Sequence, residues 1–139
     1  MKTTAESSAI YTLIAPQLAT ATVTGSAVGF EPQNDPRCMA TAIATVGASA
    51  GTPTSFTVIY TITQSATSGG SYTTTATFPT STAINEVQAL GFNLDTSKPF
   101  VKGVATIAFV SGTTPSIAIG LTLLVRQNSA SASNGTVLS

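Results

Sequence analysis

The side chains that most often carry out chemistry in proteins are scarce in this sequence of 139 residues. It contains no histidine, so the commonest general base and the commonest transition-metal ligand are both missing. Its single cysteine, Cys38, excludes an intrachain disulfide and any zinc site made of cysteine pairs. We therefore interpret Cys38 as a small buried thiol.

The carboxylates are too widely separated to form a recognisable catalytic or metal-binding motif. Glu31 and Asp35 share a polar loop, but they lack the glycine-punctuated ligand spacing of a calcium site. Glu86 and Asp95 lie in other segments, where nothing frames them as a paired acid and base. Serine and threonine are abundant, yet none has an identifiable activating base beside it in the sequence. The sequence predicts no enzymatic activity, no bound metal and no cofactor.

Charged residues make up only 7% of the sequence, and five basic residues balance five acidic ones. Such a chain has no electrostatic attraction for phosphate backbones or anionic lipid, so we expect neither nucleic acid nor a membrane as a partner. No apolar stretch reaches the roughly 18 residues of a membrane helix, and the start lacks the apolar run of a secretory signal. So little charge gives poor protection against association, which favours an assembled state.

The clearest structural pattern lies in residues 114–126, where large aliphatic side chains occupy every second position. These side chains are Ile117, Ile119, Leu121, Leu123 and Val125. The period of two indicates a strand that lays this aliphatic row on a core. Residues 55–64 alternate in the same way, and residues 100–110 are apolar on both faces, which predicts a strand in the middle of its sheet.

Shorter strand-like segments in residues 19–29, 39–46 and 71–78 are separated by turns rich in glycine, proline and serine. Residues 83–94 fit helical or strand spacing, and we interpret them as irregular with a short strand. The turn at residues 111–115 should join its two flanking strands as a hairpin. About six or seven strands at this spacing predict an all-β fold, an antiparallel β-sandwich. A jelly-roll-like topology is preferred, with other sandwiches and barrels left open.

We divide the chain into an extended N-terminal arm (1–19), a β-sandwich domain (20–126) and a flexible C-terminal tail (127–139). The tail has too little apolar surface to offset the entropy of ordering it. The arm carries apolar side chains that Pro16 prevents from forming a regular helix: Ile10, Tyr11, Leu13, Ile14 and Leu18. Docking of the arm on its own domain is one possibility. We expect instead that these five residues contact a neighbouring protein, and that the domain is stable without them.

Three segments carry a resemblance to a known group of proteins. They are ATVTGSAV at 21–28, ATVGASAGTPTSFTVIYTITQSATSGG at 44–70, and PFVKGVATIAFVSGTTPSIAIGLTLLV at 99–125. In these segments the chain resembles small structural proteins of tailed bacteriophages that decorate or cement the capsid. The resemblance covers residues 20–125. Within ITQSATSGG the chain keeps Gln64, Ser65 and Gly69 of the group's pattern but lacks its acidic residues.

The resemblance implies a virion structural protein that binds the outside of the phage capsid and stabilises the lattice of the major capsid protein. Synthesis in the host cytoplasm and a final location on the capsid exterior follow from that role. The five apolar residues of the arm then become candidates for contact with the capsid or with a neighbouring copy. We also expect a homo-oligomer, with a trimer at local threefold positions favoured. The alternative is a tail, fibre or receptor-binding module of the virion.

Overall fold

Every regular element in the part of the chain that the structure describes is a β-strand. The structure is a computed structural model, and it describes residues 8–30 and 38–126. The strands are β1 (Ser8–Ala19), β2 (Val23–Thr24), β3 (Val28–Gly29), β4 (Cys38–Ala50), β5 (Ser55–Ser65), β6 (Thr73–Thr77), β7 (Glu86–Leu94), β8 (Phe100–Val110) and β9 (Ser116–Arg126). They form two antiparallel sheets that pack together, so the predicted β-sandwich is confirmed.

The order of the strands is that of a jelly roll. Sheet A has the order β1-β9-β4-β7, and sheet B has the order β2-β8-β5-β6 with β3 also paired to β8. Because β2 and β3 both pair with β8, one after the other along its length, they act as two halves of one strand. The first strand then pairs with the last, β2 and β3 pair with β8, β4 pairs with β7, and β5 pairs with β6. This wrapped arrangement defines the jelly roll.

The core lies between the sheets and is centred on β9. All five members of the aliphatic row that the sequence singled out are buried, and β9 lies between β1 and β4 in sheet A. Opposite this row, sheet B contributes the inward side chains of β5 and β8, which are central in their own sheet. These residues are Phe56, Val58, Tyr60, Ile62, Val101, Ala105 and Ile107. The strands predicted at 100–110 and 114–126 are therefore confirmed.

Two sequence predictions of local structure are wrong. The turn at 111–115 does not join a hairpin, because β8 belongs to sheet B and β9 belongs to sheet A. Residues 83–94, interpreted as irregular with a short strand, instead contain a regular strand of nine residues, β7. Both differences arise from long-range pairing, since β7 is held by hydrogen bonds to β4, far away in the sequence.

The interpretation of residues 1–19 as an arm outside the domain is wrong for residues 8–19. This segment is β1, which pairs with β9 from Ser8 to Ala19. Leu13 and Ile14 are each only 2% exposed and belong to the core. Pro16 is accommodated because the pairing with β9 is irregular between Ile14 and Gln17. The described part of the sandwich therefore starts at Ser8, while the predicted tail at 127–139 lies outside the described residues.

Two glycines let β1 approach sheet B closely. A Cβ atom on Gly25 would lie 1.9 Å from the carbonyl oxygen of Leu13. A Cβ atom on Gly103 would lie 2.6 Å from Leu121 Cδ2 and 3.0 Å from Leu13 Cβ. Any larger residue at either position would push β1 away from β8, so these glycines are required by the seating of β1 in the core.

Tyr60 provides a hydrogen-bonded link between the two sheets. Its ring lies in the core on β5, with the Phe78 ring edge-on at a centroid distance of 6.0 Å. Its hydroxyl donates to the carbonyl oxygen of Thr45 on β4 and accepts the N–H of Gly120 on β9 at 3.3 Å. Burial raises the pKa of the Tyr60 hydroxyl, and the hydrogen bond from Gly120 opposes this only in part.

Gln64 fastens the loop between β7 and β8 to sheet B. Its fully buried amide nitrogen donates to the carbonyl oxygens of Asp95 at 3.0 Å and Lys98 at 2.8 Å. Its amide oxygen accepts the backbone N–H of Asp95 at 3.0 Å and the hydroxyl of Thr75 at 2.7 Å. Gln64 is thus a structural residue.

The face assignment of β9 can be tested with a matched pair of substitutions. Leu121→Asp should abolish folding, because it places an unpaired charge in the core at a cost of several kcal/mol. Thr122→Asp should be tolerated, because the side chain of Thr122 points out of the sandwich and is only half-buried. Circular dichroism during thermal unfolding measures both effects. Equal loss of folded protein for the two variants would contradict the assignment.

The Tyr60 link should make stability depend on pH in alkaline solution. Because the folded pKa is raised above the ordinary value of about 10, the stabilisation is complete below that pH and is lost as pH rises through the folded pKa. Tyr60→Phe should remove this dependence and cost about 1–3 kcal/mol at neutral pH. Tyr72→Phe, which removes an exposed hydrogen bond to Ser68, is the control. Denaturant unfolding at several pH values measures the free energy of unfolding. If Tyr60→Phe lost as much stability at alkaline pH as the wild type, the prediction would be wrong.

Candidate binding surface

The side chains of sheet A that point away from sheet B form one continuous surface, which we call the outer face of sheet A. The strand register places these residues side by side across four strands. They are Ile10, Thr12, Leu18, Met39, Thr41, Ile43, Thr45, Val87, Ala89, Gly91, Asn93, Ala118, Thr122 and Leu124. Small and aliphatic residues dominate this set. The outer face of a sheet in water is ordinarily polar, so this composition makes the surface a candidate for contact with a partner.

Four of the large apolar side chains on this face are well exposed, while Ile43 and Leu124 are half-buried. Ile10 is 65% exposed, Leu18 68%, Met39 52% and Val87 68%. Among the described residues, the charged side chain that shares the face is Arg126, at its end beside Ser8. A surface that combines apolar contact area with little charge resembles the centre of a protein interface.

A shallow apolar groove of about 400 Å³ crosses one end of the outer face of sheet A. One wall is the irregular part of β1, from Pro16 to Leu18, and the other is the start of β7 at Asn85–Val87. The floor includes Gly47 and Ala118. These two residues pack so closely that a Cβ atom on Gly47 would lie 3.0 Å from the Cβ atom of Ala118. The irregularity in β1 therefore shapes the groove as well as accommodating its proline.

The five contact candidates of the sequence analysis divide between the surface and the core. Ile10 and Leu18 are exposed on the outer face of sheet A. Tyr11 is half-buried and packs against the core. Leu13 and Ile14 lie in the core itself, so their assignment as contacts to a capsid or neighbour is wrong: β1 pairs within the sandwich and uses them for its own packing.

The side chains considered for chemistry are dispersed, and several have structural roles. Cys38 is buried at the start of β4. The hydroxyl of Ser97 at 2.6 Å and its N–H at 2.9 Å hydrogen-bond to Asp95, and they hold the pKa of that carboxyl below its usual value. Glu86 accepts a hydrogen bond from Ser81. Glu31 and Asp35 lie outside the described residues.

Two basic side chains lie on the other side of the molecule, near the β5–β6 connection. Lys98 Nζ donates to the hydroxyl of Thr73 at 3.0 Å, and Lys102 Nζ lies 4.4 Å from the centre of the Tyr72 ring. Residues 8–30 and 38–126 contain no group of three or more potential ligands that could hold a metal ion. None of their elements is a helix long and apolar enough to cross a membrane.

Sequence reasoning missed the contributions of Met39, Val87 and Leu124 to this surface. Met39 carried a usable signal, because it alternates with small residues that the structure buries: Ala40, Ala42 and Ala44. Val87 carried no usable signal in the sequence, because the pattern of its segment does not indicate a regular strand. Leu124 falls between two members of the aliphatic row, so alternation points it away from the core, but only its pairing with Thr41 on β4 places it beside the other residues of this surface.

Comparison with known proteins does not assign the chain to a family: no family model and no curated protein matches it. A crystal structure of PirA matches with 10% identity and a TM-score of 0.37, over 87% of this chain and 94% of that one. A structure of infectious bursal disease virus, Gx strain, matches with 12% identity and a TM-score of 0.43, over 85% of this chain and 31% of that one. A structure of xylanase 10B from Clostridium thermocellum, with its CBM22-1 and GH10 modules and xylohexaose, matches with 12% identity and a TM-score of 0.35. The match covers 84% of this chain and 20% of that one. Likenesses this distant carry no argument about function.

The division of β1 between core and surface predicts different effects of two truncations. Leu13→Ala should cost about 2–5 kcal/mol, because it leaves a cavity between the sheets. Ile10→Ala should change stability by less than about 1 kcal/mol, because that side chain is largely in solvent. Denaturant unfolding of the two full-length variants gives both values. Small and equal losses would mean that β1 lies outside the core after all.

Proposed function

We propose that the protein is a structural component of a bacteriophage virion that binds the outside of the capsid and stabilises the lattice of the major capsid protein. The observation that carries the proposal is the outer face of sheet A, an exposed apolar surface with little charge on a jelly-roll frame. Its sequence resemblance to phage decoration proteins supplies the identity of the partner. The proposal includes no catalytic step, cofactor or metal.

The energetics of such a surface suit attachment to a repeating shell. Each few hundred Å² of apolar surface removed from water contributes on the order of several kcal/mol, at about 25 cal/mol per Å², before the costs of association. The strands that carry Ile10, Leu18 and Met39 are paired within a sheet, so little ordering entropy opposes docking. A preorganised face is therefore a better candidate for the capsid contact than the arm proposed from the sequence.

A second function, as a tail, fibre or receptor-binding module, is favoured by one observation. The groove bounded by Pro16–Leu18 and Asn85–Val87 is a shallow concave site whose lining is mainly apolar. A receptor-binding module would use this concave site. The position of the protein on purified particles distinguishes the two functions, since decoration requires it on the head.

The capsid-binding proposal predicts that charges on the outer face of sheet A weaken binding. Ile10→Asp and Leu18→Asp should each reduce affinity for undecorated shells at least about tenfold, because a carboxylate would lose water at the contact. Val110→Asp is the matched control: that side chain is 55% exposed at the end of β8 in sheet B.

Cosedimentation of folded variants with shells measures the effect. Unchanged binding of both outer-face variants, or equal loss with Val110→Asp, would contradict the proposal. Labelling of the tail alone on intact particles would favour the second function.

A further inference from the structure

The free edge of β7 is the least protected strand edge among the described residues. All nine residues of β7 pair with β4 in consecutive register, without a bulge. No strand within 8–30 or 38–126 pairs with its other side, because β7 ends the order of sheet A. A regular strand with one open side presents a row of backbone N–H and C=O groups that can accept another strand.

The other edges of the sandwich carry features that prevent such pairing. β1 contains Pro16 and two irregularities in its pairing with β9. The opposite edge of sheet B is broken into two strands of two residues each, β2 and β3. β6 has only five residues and an irregularity opposite Ile62 and Thr63. Proline, bulges and short strands are the usual protections of an edge, and β7 has none of them.

Side chains on β7 also indicate a covered edge. Leu90 and Phe92 pack against the core but are only partly buried. β7 lacks lysine and arginine, and its one charged residue, Glu86, is at its start.

We propose that β7 is the interface through which two copies of this chain associate, by antiparallel pairing about a twofold axis at Leu90. The pairing joins two four-stranded sheets into one continuous sheet. In this register Ala89 lies opposite Gly91 of the second copy, and Glu86 lies opposite Leu94. A second copy has a strand of the matching length, about 30 Å for nine residues.

Charge and symmetry favour a second copy as the occupant. The two Glu86 side chains lie at opposite ends of the paired strands, so no like charges face each other. An interface of this kind is isologous, the commonest arrangement in homo-oligomers. The contact joins backbone edges and leaves most of the outer face of sheet A exposed, although Ala89 and Gly91 lie on both. It does not depend on the proposed capsid role.

The register can be tested by reversing charges at the facing pair. One variant combines Ala89→Glu with Gly91→Glu, and another combines Ala89→Lys with Gly91→Lys. Both positions are exposed, and a Cβ atom on Gly91 would contact nothing nearer than the Ala40 carbonyl oxygen at 3.9 Å. Each variant alone places like charges opposite each other in both pairs, so its dimer should dissociate about tenfold more readily. An equimolar mixture should restore association.

Sedimentation of the full-length chain across a wide range of concentration measures the outcome, with circular dichroism to verify folding. The expected result is a wild-type dimer, two weakened variants and a restored mixture. Thr106→Lys combined with Ala108→Lys, exposed on β8, is the control and should remain dimeric. A wild-type monomer or trimer, an unrestored mixture of folded variants, or an equally weakened control would overturn the inference. A trimer would instead agree with the threefold association expected from the sequence.

Discussion

The packing of the β9 aliphatic row against sheet B is the interaction on which the rest of the structure depends. β9 lies inside sheet A, so burial of residues such as Ile119 and Leu123 holds β1 and β4 in the same layer. The Tyr60 hydroxyl adds a hydrogen-bonded link at this place, because it serves Thr45 and Gly120 on two neighbouring strands. The outer face of sheet A is the reverse side of the layer that this packing makes rigid.

The low content of charged residues leaves two parts of sheet A with little charge: its outer face and the edge strand β7. The first exposes apolar side chains such as Leu18, and the second leaves one side of a regular strand unpaired among the described residues. In the proposed arrangement, copies join through the edge while the face binds the shell. Two linked contacts raise the effective affinity of each, which would suit the proposed attachment to a particle.

The N-terminal segment shows where sequence reasoning about the site fails. Pro16 breaks the periodicity from which a strand is recognised, so the sequence pattern places Leu13, Ile14 and Leu18 together in one apolar arm. In the structure an irregularity in the pairing with β9 absorbs the proline, Leu13 and Ile14 are both buried in the core, and Leu18 is exposed on the outer face of sheet A. Local pattern could not separate core from surface here, because the separation depends on how a distant strand pairs with β1.

The sequence alone determined the fold class, the position of the central strands and the scarcity of chemical groups. Alternating side chains decide which face of a strand is buried, and composition decides what can ionise; both are local properties. The tertiary structure alone decided that residues 111–115 cross between sheets, that residues 86–94 form an open edge, and that Met39 and Leu124 share a surface. Those features depend on pairings between residues far apart in the chain, and periodicity carries no information about which strand will be the partner.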